Sequence, residues 1–115
     1  MTVSTIDRAT FDALRDTAGA EFVVELVETF AEEAPGMLAE LRRALAAGDA
    51  DAFRRGAHSL KSNGSTFGAT AFAAMARDLE LGGLANVVGR GGAPLDALDG
   101  EFARVVAALR ALCHA

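Results

Sequence analysis

The chain has 115 residues, of which 51% are hydrophobic and 23% charged, and its formal net charge is -5. This length and balance predict one folded domain over residues 1–115 and exclude a disordered chain. The acidic balance argues against general binding of nucleic acid or of an anionic membrane, because both need a basic surface.

The first helix is predicted from Asp7 to Thr17, and it opens an all-α pattern. Ala, Leu, Glu and Arg dominate the chain, and no run alternates apolar and polar residues as a strand does. Ser4 or Thr5 is the expected cap of this helix, and Gly19 its stop. We expect it to be too short to form a core element.

The second helix is predicted from Ala20 to Ala47, with Gly48 at its end. Its apolar residues follow the spacing of a single buried face. Pro35 lies inside this pattern, where it removes a backbone hydrogen bond and clashes with the preceding turn. We therefore expect a kink or a local break near residues 31–34.

The third and fourth helices follow closely. Asp49 or Asp51 is the expected cap of the third helix, which reaches Phe67, and Thr70 is the expected cap of the fourth, which runs to Leu81. The next segment, "GGLANVVGRGGAP", is rich in glycine and reads as a flexible connection.

The last helix is predicted to begin at Pro94, with a single apolar face. Four amphipathic helices of adequate length favour an antiparallel four-helix bundle, with the short N-terminal helix capping one end.

The third helix carries a histidine outside its apolar stripe. His58 follows Ala57, which is on that stripe, so it is rotated by about 100° toward solvent. Its neighbours on the helix are basic or small: Arg54, Arg55, Lys61, Ser62 and Ser65. An ordinary solvated helix face is one interpretation. Gly64, which costs about 1 kcal/mol inside a helix, suggests instead that room is needed beside His58.

The segment "AHSLKSNGSTFGA", residues 57–69, resembles the signature of histidine-containing phosphotransfer domains. In that signature the histidine is followed by Leu at the second position, Lys at the third, and Gly-Ala at the tenth and eleventh. Leu60, Lys61, Gly68 and Ala69 match these positions. The resemblance extends over essentially the whole chain, because the family is a four-helix bundle of this size with a short leading helix.

The resemblance implies a role for each residue of the site. His58 is the phosphoryl acceptor through Nε2, Lys61 stabilises the phosphoryl charge, and Glu80 orients the ring. Glu80 is a departure, since relatives commonly carry Gln there. Ser62 is another, because glycine is frequent at that position. With Arg54 and Ser65, Ser62 is expected to dock the partner.

The same resemblance implies a phosphorelay intermediate in two-component signalling. Its partners are receiver domains of a hybrid sensor kinase and of a response regulator, and these receivers supply the Asp and the Mg²⁺. No cofactor or metal is expected on this chain, which is expected to be a monomeric phosphocarrier without kinase activity of its own. A lone cysteine, Cys113, and the absence of a signal peptide or membrane span fit a reducing cytoplasm.

Three other functions have weaker support. A histidine kinase dimerisation helix normally has an acidic residue directly after its histidine, where this chain has Ser59, and "GRGG" at residues 89–92 lacks the ending of a nucleotide-binding loop. A metal or haem bundle needs ligands on facing helices, but the second histidine, His114, is at the chain end. A helical scaffold or inhibitor that binds a response regulator without being phosphorylated is the main alternative.

Overall fold

The computed structural model describes residues 5–114, which form five helices and no strand. The all-α prediction is confirmed. The helices are α1 (Arg8–Ala18), α2 (Ala20–Ala47), α3 (Ala50–Phe67), α4 (Thr70–Val88) and α5 (Ala93–Cys113).

Helices α2 to α5 form the predicted bundle. Helix α3 packs between α2 and α4, and α5 closes the arrangement by packing against α4 and α2. Phe30 lies at the centre of the core, with its ring centroid 5.4 Å from that of Phe67, 6.0 Å from that of Phe72 and 5.3 Å from that of Phe102. These tilted and edge-on rings are favourable aromatic pairs that fix the spacing of the helices.

Helix α1 lies against α2 and α3 and differs from the prediction in two respects. Its N-cap is Asp7 and not the predicted Thr5. The Asp7 carboxylate accepts a hydrogen bond from the Thr10 amide at 3.2 Å. The other predicted cap, Ser4, lies outside the described residues. The expectation that α1 is too short to form a core element is also wrong, because Phe11 is fully buried.

Helix α2 runs without a break through Pro35. The local break predicted at residues 31–34 is therefore absent, and the alternative, a kink, stays a prediction. Pro35 is exposed, so its ring lies away from the core. Packing of the apolar face on both sides of the proline maintains the helix, since Ala34 and Leu38 are both buried.

Of the caps predicted for α3 and α4, the structure confirms one and corrects the other. Asp49 caps α3 by accepting a hydrogen bond from the Ala52 amide at 3.0 Å. The N-cap of α4 is Ala69, without a side-chain hydrogen bond, so Thr70 is the first residue of the helix and not its cap.

Helix α4 extends beyond its predicted end at Leu81. The chain bends at Gly83, with φ 73° and ψ 179°, and then continues as helix to Val88. The expected flexible connection is therefore largely helical, because Val87 is fully buried and holds this last segment against the core. Only glycine readily adopts the backbone conformation that Gly83 has at the bend. After Gly92, helix α5 begins at Ala93, one residue before the predicted start.

Within residues 5–114, no helix combines the length and apolar character that a membrane crossing requires.

Candidate functional site

His58 lies on the outer side of α3, as its place beside the apolar stripe predicts. The buried face of α3 consists of Phe53, Ala57, Leu60, Gly64 and Phe67. The His58 side chain is 56% exposed, so a large partner can reach the ring.

Glu80, on α4, contacts the ring of His58. Its Oε2 atom lies 2.8 Å from His58 Nδ1, a hydrogen-bond distance. The Glu80 side chain is only 15% exposed, so its position is defined by the packing of α4 against α3. The predicted association of these two residues is present in the structure.

Lys61 contacts the other oxygen of the same carboxylate. Its Nζ atom lies 2.9 Å from Glu80 Oε1 and donates a hydrogen bond to it. This hydrogen bond is the largest cause of a lowered pKa of the Glu80 carboxyl, which the hydrogen bond with His58 lowers further, against the opposing effect of partial burial. Glu80 is therefore ionised near neutral pH and accepts both hydrogen bonds.

An ionised Glu80 determines which ring nitrogen of His58 carries the proton. A carboxylate can only accept, so Nδ1 must be the donor. In the neutral ring the lone pair is then on Nε2, the nitrogen that Glu80 does not contact. The hydrogen bond with Glu80 therefore selects one tautomer of the neutral ring, with Nε2 as the nitrogen that can act as nucleophile.

The remaining predicted site residues surround His58 on α3. Arg54 and Arg55 both pair with Asp51, at 2.8 Å and 3.0 Å, so this carboxylate partly offsets their charge. Asp51 lies three and four residues before these arginines, and this helical spacing alone indicates the pairing. Ser62 and Ser65 are exposed on the outer side of α3, so these two positions add only short side chains to the surface near His58.

Gly64 has a different role from the one expected. It lies on the buried side of α3, where a methyl group added to it would be 2.7 Å from Cδ1 of Phe72. Its small size therefore allows close packing of α4 and provides no space for a partner beside His58. The interpretation of Gly64 as room at the site is wrong.

Within residues 5–114, no three His, Cys, Asp or Glu side chains come together in a way that would hold a metal ion. His114 is exposed at the end of α5.

The family model of the Hpt domain matches residues 25–115, which include His58, Lys61 and Glu80. The chain belongs to the Hpt domain family. Hpt domains are phosphocarriers and not kinases, they act with receiver domains of response regulators, and membership gives this chain a phosphotransfer role in two-component signalling. A search of curated proteins gives no match.

The Hpt fold is also found in a solved structure, histidine-containing phosphotransfer protein B (HptB) from Pseudomonas aeruginosa PAO1. The two chains are 29% identical, with a TM-score of 0.86 over 98% of this chain and 97% of that one. The similarity therefore covers α1 as well as the bundle.

Proposed function

We propose that His58 accepts a phosphoryl group from the aspartyl phosphate of one receiver domain and passes it to the aspartate of another. One observation carries the proposal: Nδ1 of His58 lies 2.8 Å from the Glu80 carboxylate, while the ring is 56% exposed. A nucleophile held by an orienting partner on one side and open on the other is the arrangement that covalent transfer needs.

The transfer step follows from the tautomer of His58. The Nε2 lone pair attacks phosphorus, the N–P bond forms, and the P–O bond to the aspartate breaks. The electron pair of that bond leaves with the aspartate oxygen, which becomes a carboxylate. The ring retains its Nδ1 proton and becomes positively charged, and the Glu80 carboxylate stabilises this charge through the existing hydrogen bond.

Lys61 supports the transferred group as a cation one helical turn from His58. Its ammonium is 2.9 Å from Glu80 Oε1, beside the ring of His58, and the side chain is 28% exposed. A phosphoryl group adds about -1.5 to -2 charges, which a nearby ammonium stabilises.

The receiver domains supply the phosphorylated aspartate and the Mg²⁺ in this scheme, and the chain acts as a monomer with no cofactor of its own. We place it in the cytoplasm, which fits its free thiol, Cys113. Arg54, Ser62 and Ser65 belong to the docking surface, because all three are exposed on the outer side of α3.

The variant His58→Gln tests the proposal. We expect it to keep its helical content, because the side chain is exposed, and to take up no radiolabelled phosphate from a phosphorylated receiver. The matched control is His114→Gln, which removes the other histidine and should be labelled like the wild type. The label on the wild type should be labile in acid and stable in alkali, as a phosphoramidate is.

Uptake of phosphate by His58→Gln would show that another residue is the acceptor. A wild-type protein that binds a response regulator but takes up no phosphate from any receiver would support the scaffold function instead.

A further inference from the structure

Almost every cation of this chain has a carboxylate partner in the structure. The sequence contains 11 Lys and Arg residues, and for nine of them an Asp or Glu oxygen lies within 4.0 Å among residues 5–114. The two cations without such a partner in this part of the chain are Arg77 and Arg90. Both are exposed.

Within residues 5–114, Arg77 lacks a carboxylate partner for a local reason. Four other arginines of the chain pair with an acidic residue three positions earlier. The residue three positions before Arg77 is Ala74. The residue three positions after it is Glu80, whose two carboxylate oxygens contact His58 and Lys61. The same contacts that orient the site therefore leave the Arg77 guanidinium free.

The antiparallel packing of α3 and α4 places Arg77 near the site. Glu80 contacts His58, and Phe72 packs against Gly64, so residue numbers rise along α4 as they fall along α3. Arg77 lies between Phe72 and Glu80, which puts it level with Lys61 on the neighbouring helix. Glu80 is three residues further along α4, so both side chains project from neighbouring positions of the same helix surface.

The outer surface of α3 and α4 around His58 thus carries a small excess of cations, even with Asp78 counted, in a protein whose formal net charge is -5. Arg54, Arg55 and Lys61 share two carboxylates, those of Asp51 and Glu80, and Arg77 adds a further cation. An arginine that pairs with no carboxylate of the described residues can donate to a carboxylate of another molecule.

We propose that Arg77 is a docking residue that pairs with a carboxylate on the surface of the receiver domain. The proposal rests on the proposed function, because it assumes that the receiver approaches His58. Arg77 acts on the encounter with the receiver, and Lys61 acts on the phosphoryl group. A charge at the edge of an interface mainly affects the association rate and its dependence on salt.

The variant Arg77→Gln tests this assignment in phosphotransfer from a receiver domain loaded with phosphate from acetyl phosphate. We expect KM for the phosphorylated receiver to rise about fivefold, while kcat stays within about twofold of the wild type. The effect should shrink as the salt concentration rises, since exposed charges are screened. Arg77→Lys, which keeps the charge, should recover most of the wild-type KM.

The matched control is Arg90→Gln, which changes the net charge by the same amount. Arg90 lies beyond the Gly83 bend, beside Met75 and Pro94 in a groove between α4 and α5. We expect no change in KM for this variant. An equal KM for Arg77→Gln and Arg90→Gln would refute the docking role. A fall in kcat with KM unchanged would also refute it, because Arg77 would then act in the transfer step itself.

Phosphoramidate, a small donor, separates this proposal from the proposed function. Its reaction with Arg77→Gln should proceed at the wild-type rate, because no receiver has to dock. A loss of labelling from phosphoramidate in Arg77→Gln would refute the docking role. Failure of the wild type to form phosphohistidine from either donor would refute the proposed function.

Discussion

Alanine at Gly64 should destabilise the protein, although alanine is the better helix former. The gain in helix propensity is about 1 kcal/mol. The new methyl group, however, would lie 2.7 Å from Cδ1 and 3.4 Å from Cε1 of Phe72. Carbon atoms prefer about 3.5–4.0 Å, so the ring or the helix must move by about 1 Å.

Phe72 has little freedom to make that movement. It is fully buried, and its ring centroid lies 6.0 Å from that of Phe30 and 6.3 Å from that of Phe102. Overpacking of this kind costs about 1–3 kcal/mol. The net change for Gly64→Ala is therefore a destabilisation of about 0–2 kcal/mol.

Gly36→Ala is the matched control, because Gly36 is also inside a long helix but has no atom within 4 Å of an added methyl group. It should stabilise the protein by up to about 1 kcal/mol. Thermal unfolding followed by circular dichroism should separate the two variants by roughly 4 to 12 °C in Tm. Movement of α4 in Gly64→Ala should also displace Glu80 and slow phosphotransfer to His58. If Gly64→Ala raises Tm as much as Gly36→Ala does, the close contact with Phe72 does not constrain the bundle and the reasoning is wrong.

Two further predictions concern the surface around His58. Lys61→Ala should slow transfer or shorten the lifetime of phosphohistidine, with little change in Tm. It should also raise the pKa of Glu80 toward its usual value in an NMR titration, because the Lys61 hydrogen bond is the largest cause of the lowered pKa. An unchanged transfer rate would leave Lys61 as an ordinary surface residue. Ser62→Arg should leave the bundle as stable as the wild type but reduce transfer from a receiver at least tenfold, while labelling by phosphoramidate persists; retention of both reactions would show that the receiver does not dock on this side of α3.

The periodic spacing of apolar residues was sufficient to predict the helices that bury a continuous face. The bounds of α2 and the C-terminal end of α3 agree with the prediction, because a glycine follows each apolar stripe and takes a left-handed conformation, as Gly48 and Gly68 do. The predicted end of α4 was wrong for a related reason. The glycine-rich segment after Leu81 suggested a flexible connection, but burial of Val87 carries the helix past the bend at Gly83.

The candidate site was predictable in its members but not in its contacts. The family resemblance pointed to His58, Lys61 and Glu80. It did not indicate that His58 and Lys61 both contact the carboxylate of Glu80. That geometry depends on the register of α3 against α4, which contacts such as that between Gly64 and Phe72 define. The free charge of Arg77 follows from the same register, so sequence spacing alone did not reveal it.

The family match and the folding unit have different boundaries. The match begins at residue 25, but Phe11 is fully buried, and the Asp7 amide donates a 2.7 Å hydrogen bond to the carbonyl of Gly68 at the turn between α3 and α4. A fragment cut at the family boundary would lose α1 and the start of α2, and would leave an apolar surface on α2 and α3 open to water. The segment that packs around one core thus begins before the segment that the family model matches.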